Sequence, residues 1–277
     1  MSNDVSQPAQ AEEHSEAVSF SFGQNWQDYL STVEQEQIEG AVSDIKEWLG
    51  DDLVAGKSVI DIGSGSGIHS LAYTHLGAKS VVSFDADPNS VEATRSLWKN
   101  ADEPEHWKVM HGSILDEGHV QSLGTFDIVY SWGVLHHTGD MWAAMRSAVT
   151  LLAPGGTMWI SLYAKGPRYP QDLALKRAYN AAGPFGKKVM AWKRIGRLML
   201  SRARHLQNPF TWNEKKERGM NVYHDIIDWL GGLPYEVATE DEVVQFGSEH
   251  GLTLGKLKVR GEGGCSVYVF SRPASAD

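Results

Sequence analysis

The sequence predicts an α/β fold, built on a doubly wound and mostly parallel sheet with helices on both faces. Two observations carry this prediction. First, short segments that are apolar on both faces alternate along the chain with segments of helical periodicity. Second, residues 58–67 run from an apolar segment into a turn with three alternating glycines, which is typical of a buried strand that ends beside a ligand.

The first predicted helix precedes this turn. Apolar residues recur every three to five positions from Val33 to Leu49, and Gly50 ends the stripe. Residues 1–19 are polar and lack the pattern of a packed element, so we expect a disordered tail there. We expect residues 20–277 to form a single domain.

Strands and helices then alternate up to residue 163. Asp87 is the expected N-cap of the helix that begins at Pro88, because proline favours the first helical turn. Residues 153–156, Ala-Pro-Gly-Gly, are predicted to form a turn before the fifth strand. The predicted strands are 58–64, 80–86, 107–113, 126–132, 157–163, 253–259 and 266–271, and the helices among them are 68–76, 88–100, 141–152 and 240–250.

Residues 164–236 break this alternation and indicate an insertion after the fifth strand, with helical stretches at 173–182 and 187–203. Between Lys165 and Arg218 there are fourteen Lys and Arg residues against three acidic ones. The simplest interpretation is a packed helix with solvated charges. The alternatives are contact with an anionic membrane surface, with an acidic face of a partner subunit or with an anionic acceptor.

Composition excludes several classes of protein. The formal net charge of −10 argues against a general nucleic-acid binder, which usually carries a basic surface. No apolar run reaches the length of a membrane span, and the first residues lack the basic region of a signal peptide. The single cysteine, Cys265, excludes an intrachain disulfide, so we expect a cytoplasmic protein.

The turn after the first strand, residues 61–67, has the pattern Asp-x-Gly-x-Gly-x-Gly. A dinucleotide-binding fingerprint is Gly-x-Gly-x-x-Gly, and its third glycine would fall on Ile68 here. Asp85 ends the second strand, where a carboxylate can accept hydrogen bonds from both ribose hydroxyls of an adenosine. These residues therefore predict a nucleoside cofactor without choosing its class.

Three later segments distinguish between the classes of nucleoside cofactor. Residues 111–114 (His-Gly-Ser-Ile), 126–137 and 152–156 resemble, in order and spacing, the later motifs of the class I S-adenosylmethionine-dependent methyltransferases. The ubiquinone- and menaquinone-biosynthesis type is the most similar. The resemblance covers about residues 55–163 and implies a seven-stranded sheet whose last strand is antiparallel. Residues 164–236 would then be a helical cap on the acceptor side of a methyltransferase domain.

The resemblance also implies which residues hold S-adenosylmethionine. The glycines would let the backbone approach the methionine moiety, Asp85 would bind the ribose, and Ala86 would pack on the adenine. Ser113 stands where the family often has Asp, and its hydroxyl can still bond the adenine amine. The implied cofactor residues are Asp61, Gly63, Ser64, Gly65, Gly67, Asp85, Ala86, Ser113, Ile114, Ser131 and Trp132, with Ser131 or Trp132 near the sulfonium.

Methyl transfer from a sulfonium is an in-line displacement that depends on positioning and desolvation, and a neutral acceptor can also need a base. His136 and His137, just after the fourth strand, are candidate bases, and the alternative for each is capping or packing. His224 and Asp225 are further candidates in the insertion. Ligand spacing indicates no metal site. The substrate-side candidates are Trp26, Tyr29, Tyr163, Tyr223 and Asp228, with core packing as the alternative for the first two.

The sequence thus predicts a methyltransferase that acts on a small molecule. A phenol or quinol oxygen is the leading acceptor by resemblance alone, and the sulfur of a thiol or sulfide is the alternative. An S-adenosylmethionine-binding protein without transferase activity is the alternative of another class. We expect no nucleic-acid partner, and homo-oligomerisation stays open.

Overall fold

The computed structural model describes residues 35–208, 222–260 and 264–274. Seven strands of this part form one sheet in the order β3-β2-β1-β4-β5-β7-β6. β7 runs antiparallel to both β5 and β6, and the other neighbouring pairs are parallel, which confirms the predicted topology. The strands are β1 (Ser58–Ile62), β2 (Ser80–Asp85), β3 (Trp107–His111), β4 (Phe126–Trp132), β5 (Leu152–Tyr163), β6 (Thr253–Lys258) and β7 (Cys265–Ser271).

Helices cover both faces of the sheet. One apolar core joins α1, α2 and α3 to one face, and a second joins α4, α5 and α9 to the other. The remaining helices, α6, α7 and α8, lie between β5 and α9 in the chain. The helices are α1 (Gln35–Leu49), α2 (Ile68–His75), α3 (Pro88–Asn100), α4 (Glu117–Leu123), α5 (Met141–Thr150), α6 (Tyr169–Ala181), α7 (Pro184–Arg204), α8 (Val222–Gly231) and α9 (Glu240–Glu249).

Local chemistry sets several helix ends where the sequence predicts them. The Asp87 carboxylate accepts a hydrogen bond from the Asn89 N–H at 2.9 Å and caps α3. α9 begins with a capping box between Thr239 and Glu242. Gly50 follows α1 with a φ of 95°, a conformation that favours glycine.

Two predictions about local structure are wrong. The sequence patterns missed α4, which has only seven residues and buries a single side chain, Val120. Residues 153–156 belong to β5 instead of forming a separate turn: Leu152 pairs with Phe126, and the register then shifts so that Thr157 pairs with Ile128. The strand continues through this irregularity and already includes Leu152. The helix predicted to reach residue 152 therefore ends earlier, and α5 stops at Thr150.

Among the described residues, the helices α6, α7 and α8, which we call the cap, share one apolar cluster with the end of β5. Its buried members include Tyr163 of β5, Leu173 of α6, Ile195 of α7 and Trp229 of α8. The Glu236 carboxylate, after α8, accepts hydrogen bonds from the N–H groups of residues 139 and 141. These contacts place the cap at the carboxyl ends of β4 and β5, where α/β sheets bind ligands.

Several predicted features lie outside the described residues. These are the tail at residues 1–19 and the side chains of Trp26 and Tyr29. Within the described ranges, none of the helices is both long and apolar enough to cross a membrane.

Candidate active site

The turn between β1 and α2 requires its glycines. Gly63, Gly65 and Gly67 have φ values of 75°, 55° and 80°, which L side chains rarely adopt. A Cβ at Gly63 would lie 2.4 Å from a methyl group of Val134, so the loop after β4 contacts this turn directly. The Thr94 hydroxyl of α3 donates to the Gly65 carbonyl at 3.0 Å and fixes the turn from the other side.

Asp85 closes the same turn from the end of β2. Its two carboxylate oxygens accept hydrogen bonds from the backbone N–H groups of Gly65 at 3.1 Å and of Asp87 at 2.9 Å. Burial raises the pKa of Asp85 to about 6, although these hydrogen bonds oppose the rise. A ligand that donates hydrogen bonds to the carboxylate would therefore bind its ionised form and lower that pKa.

Asp61 is held by a buried chain of hydrogen bonds. The Ser70 hydroxyl donates to the Asp61 carboxylate at 2.5 Å and lies 2.6 Å from the Ser83 hydroxyl, which accepts from the Trp107 ring N–H at 2.7 Å. All four side chains are at most 2% exposed. This series of hydrogen bonds fixes the orientation of the Asp61 carboxylate next to the glycine turn.

A pocket opens beside this turn, between β1, α2 and β4. Trp132 lines it, and its place near the cofactor stays a prediction. Ser131 is fully buried instead, and its hydroxyl donates to the Ile62 carbonyl at 3.0 Å, which joins β4 to β1. Of the two residues that the resemblance places near the sulfonium, Trp132 is therefore the one that faces the pocket. The lining residues are Asp61, Gly63, Ser64, Ser66, Ile68, His69, Tyr130 and Trp132.

The residues predicted to flank the adenine lie at the ends of β2 and β3. Ala86 is exposed, which leaves its methyl group open to a ligand. The Ser113 hydroxyl accepts a hydrogen bond from the Leu115 N–H at 3.2 Å and keeps its own proton to donate. Ile114 is 4% exposed and packs in the core beneath. The adenine contacts of these residues stay predictions.

His136 and His137 lie in a short 3₁₀ helix, Leu135–His137, after β4. His136 Nδ1 accepts the Tyr163 backbone N–H at 3.3 Å, and His137 Nδ1 donates to the Pro234 carbonyl at 2.6 Å. A Cβ at Gly232 would lie 2.7 Å from the His137 ring, so this glycine makes room for it. Both imidazoles are thus fixed at the end of the sheet beneath the cap.

Burial makes both histidines weak bases. It lowers the pKa of His137 to about 3, with the Lys176 charge acting in the same direction. It also holds the pKa of His136 well below its ordinary value, and the neighbouring His137 and Lys176 add to that effect. Both rings are therefore neutral at physiological pH and suited to hydrogen bonding more than to taking a proton.

An aromatic cluster surrounds these histidines. The Tyr163 ring centroid lies 4.1 Å from that of His136, 5.4 Å from that of His137 and 5.1 Å from that of Tyr235. Tyr169 extends the cluster, with its ring 5.6 Å from Tyr235. Ser161 of β5 pairs with Trp132 of β4, and Tyr163 comes two residues after Ser161 in the same strand. The aromatic cluster therefore lies beside the pocket that Trp132 lines.

The remaining predicted residues, His224, Asp225, Tyr223 and Asp228, belong to α8. The Tyr223 ring lies 6.3 Å from that of Trp192 of α7, so Tyr223 contributes to packing within the cap. Asp228 is half-buried, and its backbone carbonyl accepts from the Gly232 N–H at 2.9 Å. The side chains of His224 and Asp225 lie outside the described residues, so their base roles stay predictions.

Sequence reasoning missed one ionisable residue of the cap. Lys176 of α6 is 0% exposed and lies among the rings of Tyr163, Trp229 and Tyr235. One signal was available, because Lys176 takes a place in the buried stripe between Leu173 and Tyr179 where an apolar residue would be expected. No three His, Cys, Asp or Glu side chains of the described residues are grouped so that they could hold a metal ion.

Known proteins match this chain. The methyltransferase-domain family matches residues 35–211. Ubiquinone biosynthesis O-methyltransferase of Xanthomonas campestris pv. campestris (strain B100) is 30% identical over 112 residues, 40% of this chain and 45% of that protein. Ribosomal protein L11 methyltransferase of Cupriavidus metallidurans is 36% identical over 115 residues, 42% of this chain and 34% of that protein. The chain thus spans less than half the length of these curated relatives.

A solved structure supports the same fold. Magnesium protoporphyrin IX methyltransferase from Synechocystis PCC 6803, with bound S-adenosylhomocysteine, is similar with a TM-score of 0.55 at 14% identity. The similarity covers 91% of this chain and 95% of that one. The family match extends over most of the chain, and the glycine turn with Asp85 beside it suits a nucleoside cofactor. The chain therefore belongs to the methyltransferase-domain family and has the fold of a class I methyltransferase.

Proposed function

We propose that the chain transfers a methyl group to an oxygen of a small aromatic acceptor, a phenol or quinol. The observation that carries this proposal is the aromatic cluster of Tyr163, Tyr169 and Tyr235 beyond the pocket that Trp132 lines. Aromatic rings favour a flat apolar acceptor, and the burial of Tyr163 and Tyr235 excludes water from it.

The residues of the site would act mainly by positioning. S-adenosylmethionine, when bound, supplies a methyl group that is already activated on a sulfonium. His136 and His137 are neutral and weakly basic, so they would orient the acceptor oxygen by hydrogen bonds and would not remove its proton efficiently. Placement within a dry pocket would then provide most of the rate enhancement.

The relatives support this choice of acceptor in part. The ubiquinone biosynthesis enzymes are named O-methyltransferases, whereas the ribosomal protein L11 enzymes are named for a protein acceptor. The enclosed cluster around Tyr163, which is 9% exposed, favours a small acceptor over a protein side chain. Sulfur methylation, or cofactor binding without transfer, remains an outcome of the test below.

Incubation of the chain with S-adenosylmethionine and a panel of phenols, quinols, thiols and peptides is expected to release S-adenosylhomocysteine with a phenol or quinol. Replacing Tyr163 by Leu removes the central ring, so kcat/KM should fall at least about tenfold. Leu206→Ala is the control: it changes a side chain that is 97% exposed and should leave kcat/KM unchanged. Turnover with thiols alone would indicate S-methylation, and cofactor binding without any turnover would indicate a binding protein.

We also propose that the outer face of α7 contacts an anionic membrane surface, where an apolar quinol-type acceptor would be available. α7 contains seven Lys and Arg residues and no acidic residue. Large apolar side chains project on the same helix: Phe185 is 81% exposed, Trp192 50% and Leu200 52%. Basic residues interleaved with exposed aromatic and aliphatic ones favour the interface of anionic lipids.

The chain is expected to co-sediment with phosphatidylglycerol vesicles and not with phosphatidylcholine vesicles. The double variant Lys188→Glu/Arg197→Glu reverses two charges of α7 and should reduce sedimentation at least about tenfold, since each basic residue contributes roughly 1 kcal/mol near such a surface. Lys99→Glu, on the distant helix α3, is the matched control. Equal sedimentation of the wild type and the double variant would contradict the membrane contact and leave an acidic protein partner as the occupant.

A further inference from the structure

The structure places a buried cation within the aromatic cluster around Tyr163, and no step of the proposed methyl transfer uses it. The Lys176 ammonium donates to the Trp229 carbonyl. Its Nζ lies 4.4 Å from the ring centroid of Tyr235, 4.5 Å from that of Trp229 and 5.5 Å from that of Tyr163. Aromatic faces stabilise a desolvated cation, so this cage is suited to hold a positive charge.

Ionisable groups face Lys176 from each surrounding element. Burial is the main cause that lowers the pKa of Lys176, to about 7, and the Arg194 charge lowers it further. Asp172, one turn earlier on α6, acts in the opposite direction. The ammonium is therefore a substantial part of the population at and below neutral pH. The groups concerned are Asp172 of α6, Arg194 of α7, Asp228 of α8, Cys265 of β7, and His136 and His137 after β4.

A second observation concerns His136, in the same aromatic cluster. His136 Nδ1 accepts the Tyr163 N–H, so the neutral imidazole carries its proton on Nε2. This Nε2 is buried and has no hydrogen-bond partner among the described residues. A free N–H donor and a buried cation thus both lie close to the Tyr163 ring, and both favour negative charge on a ligand placed beside them.

We propose that Lys176 is a specificity-determining residue, which makes the acceptor pocket select acceptors that bind as oxyanions, phenolates or carboxylates, over neutral amines. The inference rests on the proposed function and names its substrate class. Because a charge acts over several ångströms in a low-dielectric site, Lys176 can favour an anion without touching it.

This selection would also remove the need for a strong base. The acceptor loses its proton to solvent on binding, and its oxygen lone pair then forms the O–CH₃ bond while the S–CH₃ bond breaks. The electron pair of the broken bond stays on sulfur, so an anion and a sulfonium give a neutral ether or ester and a neutral thioether. The weak basicity of His136 and His137 is consistent with such an acceptor.

The test uses 4-nitrocatechol, a phenol whose ionised form is coloured, bound to the full chain together with S-adenosylhomocysteine. Absorbance against pH gives the ionisation constant of the bound dye without any turnover. We expect this constant to be at least about tenfold larger in the wild type than for the free dye in water. The increase should disappear in Lys176→Met and persist in Lys176→Arg, which keeps the charge.

Titration calorimetry with S-adenosylhomocysteine is the fold control, since Lys176 lies outside the cofactor residues and its variants should keep the wild-type affinity. An unchanged ionisation constant in the wild type, or no binding of the dye, would overturn the proposal whatever the variants do. An equal increase in Lys176→Met would overturn it as well. Absence of methyl transfer to phenols, with the dye result intact, would contradict the proposed function alone.

Discussion

Replacement of Asp85 by Ala is expected to weaken S-adenosylmethionine binding by at least about a hundredfold, as measured by titration calorimetry. Hydrogen bonds to an ionised group contribute roughly 1.5–3 kcal/mol each, and the ribose offers two donors to this carboxylate. The variant also removes the acceptor for the Gly65 N–H, which holds the glycine turn in place. Asp241→Ala, at an exposed acid of α9, is the control and should bind normally.

The pH dependence of S-adenosylmethionine binding distinguishes a contact between Asp85 and the ribose from a purely structural role of Asp85. The free protein has an Asp85 pKa of about 6, and binding requires the ionised form. Affinity should therefore be constant above about pH 6 and fall as the pH is lowered below it, because protons compete with the ribose. Asp85→Ala should lose this dependence. Unchanged affinity in the variant, with the wild-type pH profile, would show that the ribose lies elsewhere.

Replacement of Gly63 by Ala is expected to abolish measurable cofactor binding at micromolar concentrations. The new Cβ would lie 2.4 Å and 2.5 Å from the two methyl groups of Val134 and would have to displace the loop after β4. The positive φ of Gly63 adds about 1–2 kcal/mol of strain for any L side chain. Both effects act at the wall of the pocket, so we expect the turn to lose the shape that cofactor binding requires.

Gly77→Ala is the matched control for this variant. Gly77 has a φ of 76°, almost the same as Gly63, but a Cβ there would meet nothing within 4 Å. Thermal unfolding should show a loss of stability from strain in both variants, with a further loss in Gly63→Ala from the clash with Val134, whereas only Gly63→Ala should lose the cofactor. Equal cofactor affinity in the two variants would mean that the turn does not approach the ligand.

The cofactor half of the site could be predicted because its residues follow strands at fixed positions. The glycine turn and Asp85 each end a strand of a parallel sheet, and such ends meet at one edge whatever the rest of the chain does. The role of Ser131 could not be predicted from its position in β4. Alternation along β4 assigns it a face of the sheet, but only the structure shows that its hydroxyl is bound to the Ile62 carbonyl.

The acceptor half could not be predicted in the same way. Lys176, Trp229 and Tyr235 come from α6, α8 and the segment after α8, and only tertiary packing brings them together around Tyr163. The position of His137 in the sequence indicates nearness to the site, but its low pKa depends on burial and on the charge of Lys176. Both causes are properties of the folded chain.

A crystal structure of the chain with S-adenosylhomocysteine would test the predicted cofactor site most directly. The ribose hydroxyls are expected within about 3.2 Å of the Asp85 carboxylate oxygens, with the amino-acid part of the ligand along residues 63–67. The sulfur should lie on the side of Trp132, facing the cluster around Tyr163. A ribose away from Asp85, or a sulfur separated from Tyr163 by the sheet, would contradict both the cofactor site and the acceptor site proposed beside it.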